Sequence, residues 1–443
     1  MKLSLRFLYL LPLLGILATD RAFSEFVFTN EDAPALQLYG RLILACSMAI
    51  VVLCYRYMGT MMQRWLLMVM AALGGLVLES YAGWQTWAVY PHVFAKLLVL
   101  VHVFAIYGFH RRFGPPPFGQ LMGLLLLGLA ANLAFYHRDA LSLSAFLDNE
   151  RGFNVTSAML LLLPTLYYFN QYMTHGGMAR LLVFFLGAAL ILFLQHRSVW
   201  ISMGIALALN VLLLALGRIA GARLSSARLL PMFLIPMFVL VSGGLVALSD
   251  PHVVKKLEGS IDDIMRPSQQ GTGGWRLKQF KAYQPYLEEY PIAGMRLKGF
   301  ELPVQFYTLA DDGGGQVPVW EDRTGHHFHS FYVDRIFYFG LAGLLLTVLV
   351  PVLLLGRRLL SSVPMVPSTA AFVIFSLSSL VYSVSYDWPL YFFGILGLSL
   401  AAAAAAPSRV AVRLPMAARA ARPAFVSFSS LSHADAAPST AHR

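Results

Sequence analysis

The chain has 443 residues, 58% of them hydrophobic and only 12% charged. Soluble domains carry about 25% charged residues, so this composition excludes a soluble globule. The formal net charge is +11, but the basic residues lie in short segments between apolar runs, which fits membrane topology rather than nucleic-acid binding.

Twelve apolar runs read as spans, at roughly 3–19, 37–55, 65–80, 92–109, 119–136, 154–172, 181–195, 199–217, 229–249, 330–355, 368–386 and 388–406. Lys2 and Arg6 ahead of Phe7–Thr19 resemble a signal peptide. Ala18-Thr19-Asp20 runs into charge without a small-x-small cleavage site, so the first run is read as a retained span. Cys46 and Cys54 share one apolar run and form no disulfide framework. With a cytoplasmic N-terminus, the cytoplasmic loops hold Arg56, Arg64, Arg111, Arg112, Arg180, Arg218, Arg223, Arg228, Arg357 and Arg358. The tail adds five arginines against one acid, Asp435. The opposite loops hold Asp20, Glu25, Glu31, Asp32, Asp139, Asp148, Glu150 and Asp387, which outnumber Arg21, Arg138 and Arg151 there. The positive-inside rule then puts both termini in the cytoplasm and the polar stretch Asp250–His329 outside the inner membrane, in the periplasm of a Gram-negative cell.

The chain thus divides into nine spans over 1–249, a periplasmic loop over 250–329, three spans over 330–406 and a basic tail over 407–443, expected to be disordered. The loop begins with Asp250-Pro251, an N-cap followed by proline at the first helical position. Val254, Leu257, Ile261 and Ile264 give an amphipathic helix that Pro267 stops, either on the membrane surface or against other periplasmic parts. Gln269–Gly274 reads as a linker, a second helix starts near Trp275 and is interrupted at Pro285, and Asp311–Gly315 is a loop. The fold class is therefore all-α: a polytopic inner-membrane protein of about twelve helices with one large helical periplasmic loop.

Several charged residues stand where charge is expensive. Arg197, in His196-Arg197-Ser198-Val199-Trp200, lies between two apolar runs with almost no loop. It reads either as a snorkelling arginine beside a belt tryptophan or as a cavity-facing group. Arg41, Lys96, Asp334 and Arg335 lie inside spans on the outer side. Together with Arg197 and Arg276 they suit a basic cavity for a phosphate or pyrophosphate, although Asp334 and Arg335 also suit structural pairing. His329 opens the tenth span, where the helix N-terminus disfavours the imidazolium and leaves a neutral ring able to accept a proton. His326 and His327 cluster with it near Glu321 and Asp322, but the spacing is not a zinc pattern, and no metal is assigned.

The order of these features resembles the O-antigen ligase and polymerase superfamily, and the ligases in particular. The matching stretches are His196-Arg197-Ser198-Val199-Trp200, Trp275-Arg276-Leu277-Lys278-Gln279-Phe280, Glu289-Tyr290-Pro291-Ile292-Ala293-Gly294 and His327-Phe328-His329-Ser330. Three positions depart from the pattern. His196 stands where Ser or Thr is usual, Met295-Arg296 where a second glycine is, and Ser330 where Asn is. The resemblance implies a glycosyltransferase of GT-C-like architecture. It implies transfer of a glycan from undecaprenyl pyrophosphate to a lipid A-core sugar hydroxyl, with inversion and without metal, nucleotide or other cofactor. His329, Arg197 and Arg276 would be catalytic, and Arg41, Lys96, Arg335 and His327 would contact substrate. A polymerase or a protein O-oligosaccharyltransferase of the same superfamily is the neighbouring reading. A twelve-span transporter fits less well, because the long loop is not central and the halves show no similarity. A structural scaffold would need no histidine where the loop ends.

Overall fold

The computed structural model describes residues 8–28, 33–142, 153–222, 224–239, 280–281, 283–298, 328 and 330–405, with backbone alone or isolated residues at 241, 251, 254–255, 258–259, 308–310 and 316–318. Met1–Ala405 form one compact unit, and the tail Ala406–Arg443 lies outside the described residues. The helices are α1 Leu11–Leu17, α2 Arg21–Ser24, α3 Ala33–Cys54, α4 Thr60–Trp84, α5 Pro91–Leu98, α6 Leu100–Phe113 and α7 Phe118–Phe135. They continue with α8 Val155–His175, α9 Met178–Phe193, α10 Arg197–Ala215, α11 Ser226–Val239, α12 Phe331–Leu360, α13 Pro367–Tyr382 and α14 Leu390–Ala404. The described part of each expected apolar run falls largely on these helices, the 92–109 run on both α5 and α6, while residues 3–7, 240, 242–249 and 406 of these runs lie outside the described residues. Six helical stretches are long and apolar enough to cross a membrane, with α5 and α6 counting as one, and four shorter apolar helices accompany them. The protein is a polytopic helical membrane protein. Among the described residues, strand appears only as an antiparallel pair, β1 Thr308–Ala310 with β2 Gln316–Pro318, which brackets the loop expected at 311–315.

Helices α6 and α14 form the buried heart of the bundle, and nearly all their residues are inaccessible. Small residues permit the close approach. A Cβ on Gly397 of α14 would lie 2.5 Å from the Val103 carbonyl of α6. Around this pair, α3 packs on α6, α8 on α9 and α13, and α10 along α13.

The two ends of the bundle differ in chemistry. At one end, arginines close helix ends through carbonyls: Arg111 Nη1 donates to Ala404 O at 3.0 Å, Arg228 Nη2 to Thr174 O at 2.9 Å and Arg358 Nη1 to Val363 O at 2.8 Å. At the other end sit carboxylates. Asp20 caps α2 through Ala22 N, and it also accepts from Ser157 Oγ at 2.8 Å and Thr156 Oγ at 3.1 Å. Burial pushes the Asp20 carboxyl up to about 6 despite these donors. The folded state therefore holds the proton more tightly than the unfolded chain does. Stability is highest at low pH and falls as pH rises from the ordinary carboxyl range through about 6. The thermal midpoint in detergent should drop between about pH 4 and pH 6, and Asp20→Asn should flatten that drop. An unchanged slope in Asp20→Asn would mean another group sets it.

The helix expected to break at Pro285 does not. Residues 280–281 and 283–289 are helical, so the helix runs past the proline. Tertiary contacts account for this. Tyr283 meets Phe328 at 4.4 Å and Phe337 at 6.1 Å between ring centroids, and Tyr286 meets Phe337 at 5.8 Å. The amphipathic helix expected over 254–264 and the linker at 269–274 fall largely outside the described residues.

Candidate active site

The site is organised by a break in α12. Gly340 has φ +63° and ψ −165°, which splits the helix into an N-terminal half, 331–339, and a long C-terminal half, 341–360. An unbroken helix would bond Leu341 N–H to Phe337 O and Ala342 N–H to Tyr338 O. Instead, the turn after the proline-x-x-glycine motif fills the gap. Met295 N donates to Phe337 O and Arg296 N to Tyr338 O, each at 2.8 Å. In return Leu341 N donates to Pro291 O at 2.8 Å and Ala342 N to Ile292 O at 3.0 Å. Two helix bonds are exchanged for four bonds to the loop, so the broken backbone is satisfied by protein, as the membrane interior requires.

The interlock needs glycine on both sides. Gly294 has φ +66°, and a Cβ there would lie 2.4 Å from Phe339 N. A Cβ on Gly340 would lie 2.3 Å from the Ile292 carbonyl carbon and oxygen. Arg296, where the resemblance expected a second glycine, takes the same left-handed region with φ +49°. Its Nε pairs with Glu79 Oε2 of α4 at 3.0 Å.

The N-terminal half of α12 is held from several directions. Ser330, its N-cap, accepts from Val333 N and donates to Ser383 O at 3.4 Å, while Phe331 N donates to Ser383 O at 3.1 Å. Phe331 stacks on Trp388 at 4.0 Å, and Trp388 Nε1 donates to Ser383 Oγ at 2.7 Å. Phe328 is buried against Tyr283 and Phe337. His329 itself lies outside the described residues, as do Arg276, His326 and His327. Both neighbours of His329 are thus fixed, one by an aromatic cluster and one by a helix cap.

Behind this half-helix lies a buried charge cluster. Lys96 Nζ of α5 donates to Asp334 Oδ1 at 2.6 Å and faces the Tyr338 ring at 4.5 Å. Arg335 pairs with Asp334 Oδ2, approaches Asp387 Oδ1 at 3.8 Å and lies over the Phe331 ring at 4.7 Å. Asp334, Lys96 and Arg335 are at most 5% exposed. Burial raises the Asp387 carboxyl above its ordinary range, and the Arg335 guanidinium beside it works in the opposite direction. Lys96 and Arg335, expected to contact substrate, are both paired with buried carboxylates. Arg41 stands apart as an exposed residue of α3.

Removing one partner of a buried pair strands the other charge, at a cost of about 3–5 kcal/mol. Asp334→Asn and Lys96→Met should each lower the detergent-extracted yield and thermal midpoint sharply. The double variant should recover part of the midpoint, because Lys96 is no longer stranded while Arg335 keeps only its longer approach to Asp387. A double variant no better than the worse single would show that the pair is not acting as one unit.

Arg197 opens α10, with His196 as N-cap. His196 Nε2 donates to Phe153 O at 2.8 Å, and Trp200 Nε1 donates to Ile191 O at 2.9 Å. The tryptophan thus ties two helices together. Gln195 turns the chain with φ +57°, which is why the loop is so short. The helix N-terminus adds its own positive potential to the Arg197 charge. A bonded path connects this corner to the α12 cap. Phe153 precedes Thr156, whose carbonyl accepts from Tyr391 Oη at 2.7 Å, and Tyr391 lies three residues past Trp388. Arg197 and Ser330 accordingly stand at the same end of the bundle, the end opposite the arginine–carbonyl bonds. Among the described residues no group of three His, Cys, Asp or Glu is placed to hold a metal ion.

A broken helix, a turn docked into its gap and buried ion pairs lie within a polytopic helical membrane protein. Residues 182–348 match a protein family described as O-antigen ligase, and over that stretch the chain is similar to it. The matched stretch contains Arg197, the proline-x-x-glycine turn and α12 as far as residue 348. No curated protein matches the chain.

Proposed function

We propose that the protein is an O-antigen ligase of about twelve spans and GT-C-like architecture, in the bacterial inner membrane with both termini cytoplasmic. It transfers a glycan from undecaprenyl pyrophosphate to a sugar hydroxyl of lipid A-core at the periplasmic face. The observation that carries this reading is the family match over 182–348, which contains Arg197, Arg276 and His329 together. The reaction is a displacement at the anomeric carbon with inversion. The bond to pyrophosphate breaks as the acceptor oxygen attacks. Arg197 and Arg276 stabilise the charge developing on the leaving pyrophosphate through planar, bidentate contacts. His329 takes the acceptor proton. Both substrates are lipid-anchored, which suits a site at the membrane boundary. The arginine–carbonyl bonds at one end of the bundle and the Asp20 carboxylate at the other support the orientation.

Expression in a host lacking its own ligase tests the reading. Glycan-capped lipopolysaccharide on a gel is the expected product. Longer lipid-linked glycan without capping would make the protein a polymerase, and glycan on protein would make it an oligosaccharyltransferase. Activity in washed membranes should survive exhaustive chelation. Loss restored by one specific divalent ion would move the mechanism to metal-assisted transfer.

A further inference from the structure

Arg296 has φ +49°, a backbone region that residues with a side chain rarely adopt. Such an outlier persists only where its surroundings hold it, and it points to a site where position matters. Arg296 is held at both ends of the residue. Its backbone N donates to Tyr338 O at 2.8 Å, inside the break of α12. Its side-chain Nε lies 3.0 Å from Glu79 Oε2 and 3.3 Å from Glu79 Oε1, so one N–H faces both carboxylate oxygens. Glu79 stands near the C-terminal end of α4, which closes at Trp84. Beyond this pair α4 and α12 separate around a cleft of about 520 Å³, with Ala72 and Gly75 on one wall and Ala342 and Gly343 on the other. They join again where Trp65 Nε1 donates to Leu346 O at 2.6 Å. The Glu79–Arg296 pair therefore ties the docked turn to α4 across the mouth of that cleft.

The tie adds little stability. The two side chains are 38% and 30% exposed, and ion pairs this open to solvent stabilise weakly. Such a pair does not offset the cost of a left-handed arginine. Its consequence is placement. The turn lies on the stretch that joins Arg276 to His329 in the chain. Its N–H groups also satisfy the last carbonyls of the half-helix that follows His329.

We propose that Glu79 and Arg296 are positioning residues: the pair latches the docked turn to α4, and so fixes the half-helix after His329 and the loop that carries Arg276. The effect on transfer rests on the proposed function. Each residue acts through the turn rather than on the substrates.

A latch uncouples rate from stability, which a merely structural role does not. Arg296→Gly relieves the left-handed backbone and keeps the N–H that bonds Tyr338 O. Glu79→Ala removes the partner and leaves a good helix former. Both should keep a thermal midpoint close to the wild type. In both, kcat for transfer should fall about tenfold with little change in KM for the donor, because the reacting groups are displaced rather than unbound. The double variant should match the singles, since each already opens the same latch. Hydrogen exchange on the full-length protein reads the latch without any transfer. Peptides covering residues 291–298 and 337–342 should exchange about tenfold faster in both variants, while those of α13 and α14 stay unchanged. Arg21→Gln, which removes the ion pair with Glu25 on α2, should leave these peptides unchanged and is the control. Unchanged exchange in both variants would overturn the latch. Faster exchange with wild-type kcat, or a rate loss that only follows a falling midpoint, would overturn the positioning role. Wild-type protein that transfers no glycan would count against the reaction, and the exchange measurement would still decide the latch.

Discussion

Gly340→Ala should abolish transfer and destabilise the protein. The positive-φ extended backbone of Gly340, open essentially to glycine alone, costs an alanine about 1–3 kcal/mol. The new Cβ would also lie 2.3 Å from the Ile292 carbonyl. Relief requires the turn to withdraw, and each backbone bond lost from the interlock removes about another 1 kcal/mol. The expected loss is roughly 2–4 kcal/mol of stability. The effect on activity should be larger than stability alone explains. The interlock fixes the half-helix whose first residues follow His329, and misplacing a reacting group by about 1 Å can cost about 10²-fold in rate. Gly294→Ala should behave alike, because its Cβ would lie 2.4 Å from Phe339 N. Gly356→Ala, lower on α12 with nothing within 4 Å, should be neutral and controls for expression. Thermal midpoint and lipopolysaccharide capping, measured on matched amounts of protein, separate the two effects. Wild-type capping by Gly340→Ala would mean the loop does not position the site.

The second large effect concerns Arg197, Arg276 and His329. Removing a general base typically costs about 10²–10⁴ in rate. Losing one electrostatic stabiliser of the leaving group costs about 10²–10³. Arg197→Lys and Arg276→Lys keep the charge but lose the planar fork, so both should be impaired. His329→Ala should remain folded, because Phe328 and Ser330 on either side are held by contacts that do not need the imidazole. His326→Ala and His327→Ala should be milder. Near-normal capping by His329→Ala would remove the base assignment, and normal capping by both arginine variants would remove the pyrophosphate site.

Most of the helices were legible because hydrophobic run length is a strong signal in membrane proteins. The buried charges were legible for the same reason, since Lys96, Asp334 and Arg335 interrupt apolar runs. Their partners were not: nothing in the sequence says that Lys96 meets Asp334 across 238 positions. Gly340 was missed. A lone glycine in an aromatic-rich helix costs only about 1 kcal/mol and looks ordinary until its carbonyl neighbours are seen bonded to a distant turn. Pro291-Ile292-Ala293-Gly294 was recognised as a motif, but its partner could not be named. Pro285 was read as a break because proline removes a local bond. The aromatic contacts of Tyr283 and Tyr286 outweigh that local cost.

The most direct measurement is transfer by purified protein in proteoliposomes, supplied with undecaprenyl-pyrophosphate-linked glycan and lipid A-core alone. The wild type should produce glycan-capped lipid A-core and release undecaprenyl pyrophosphate in equal amount, while His329→Ala retains the donor without transfer. Absence of product from folded wild-type protein, or equal product from His329→Ala, would contradict the account.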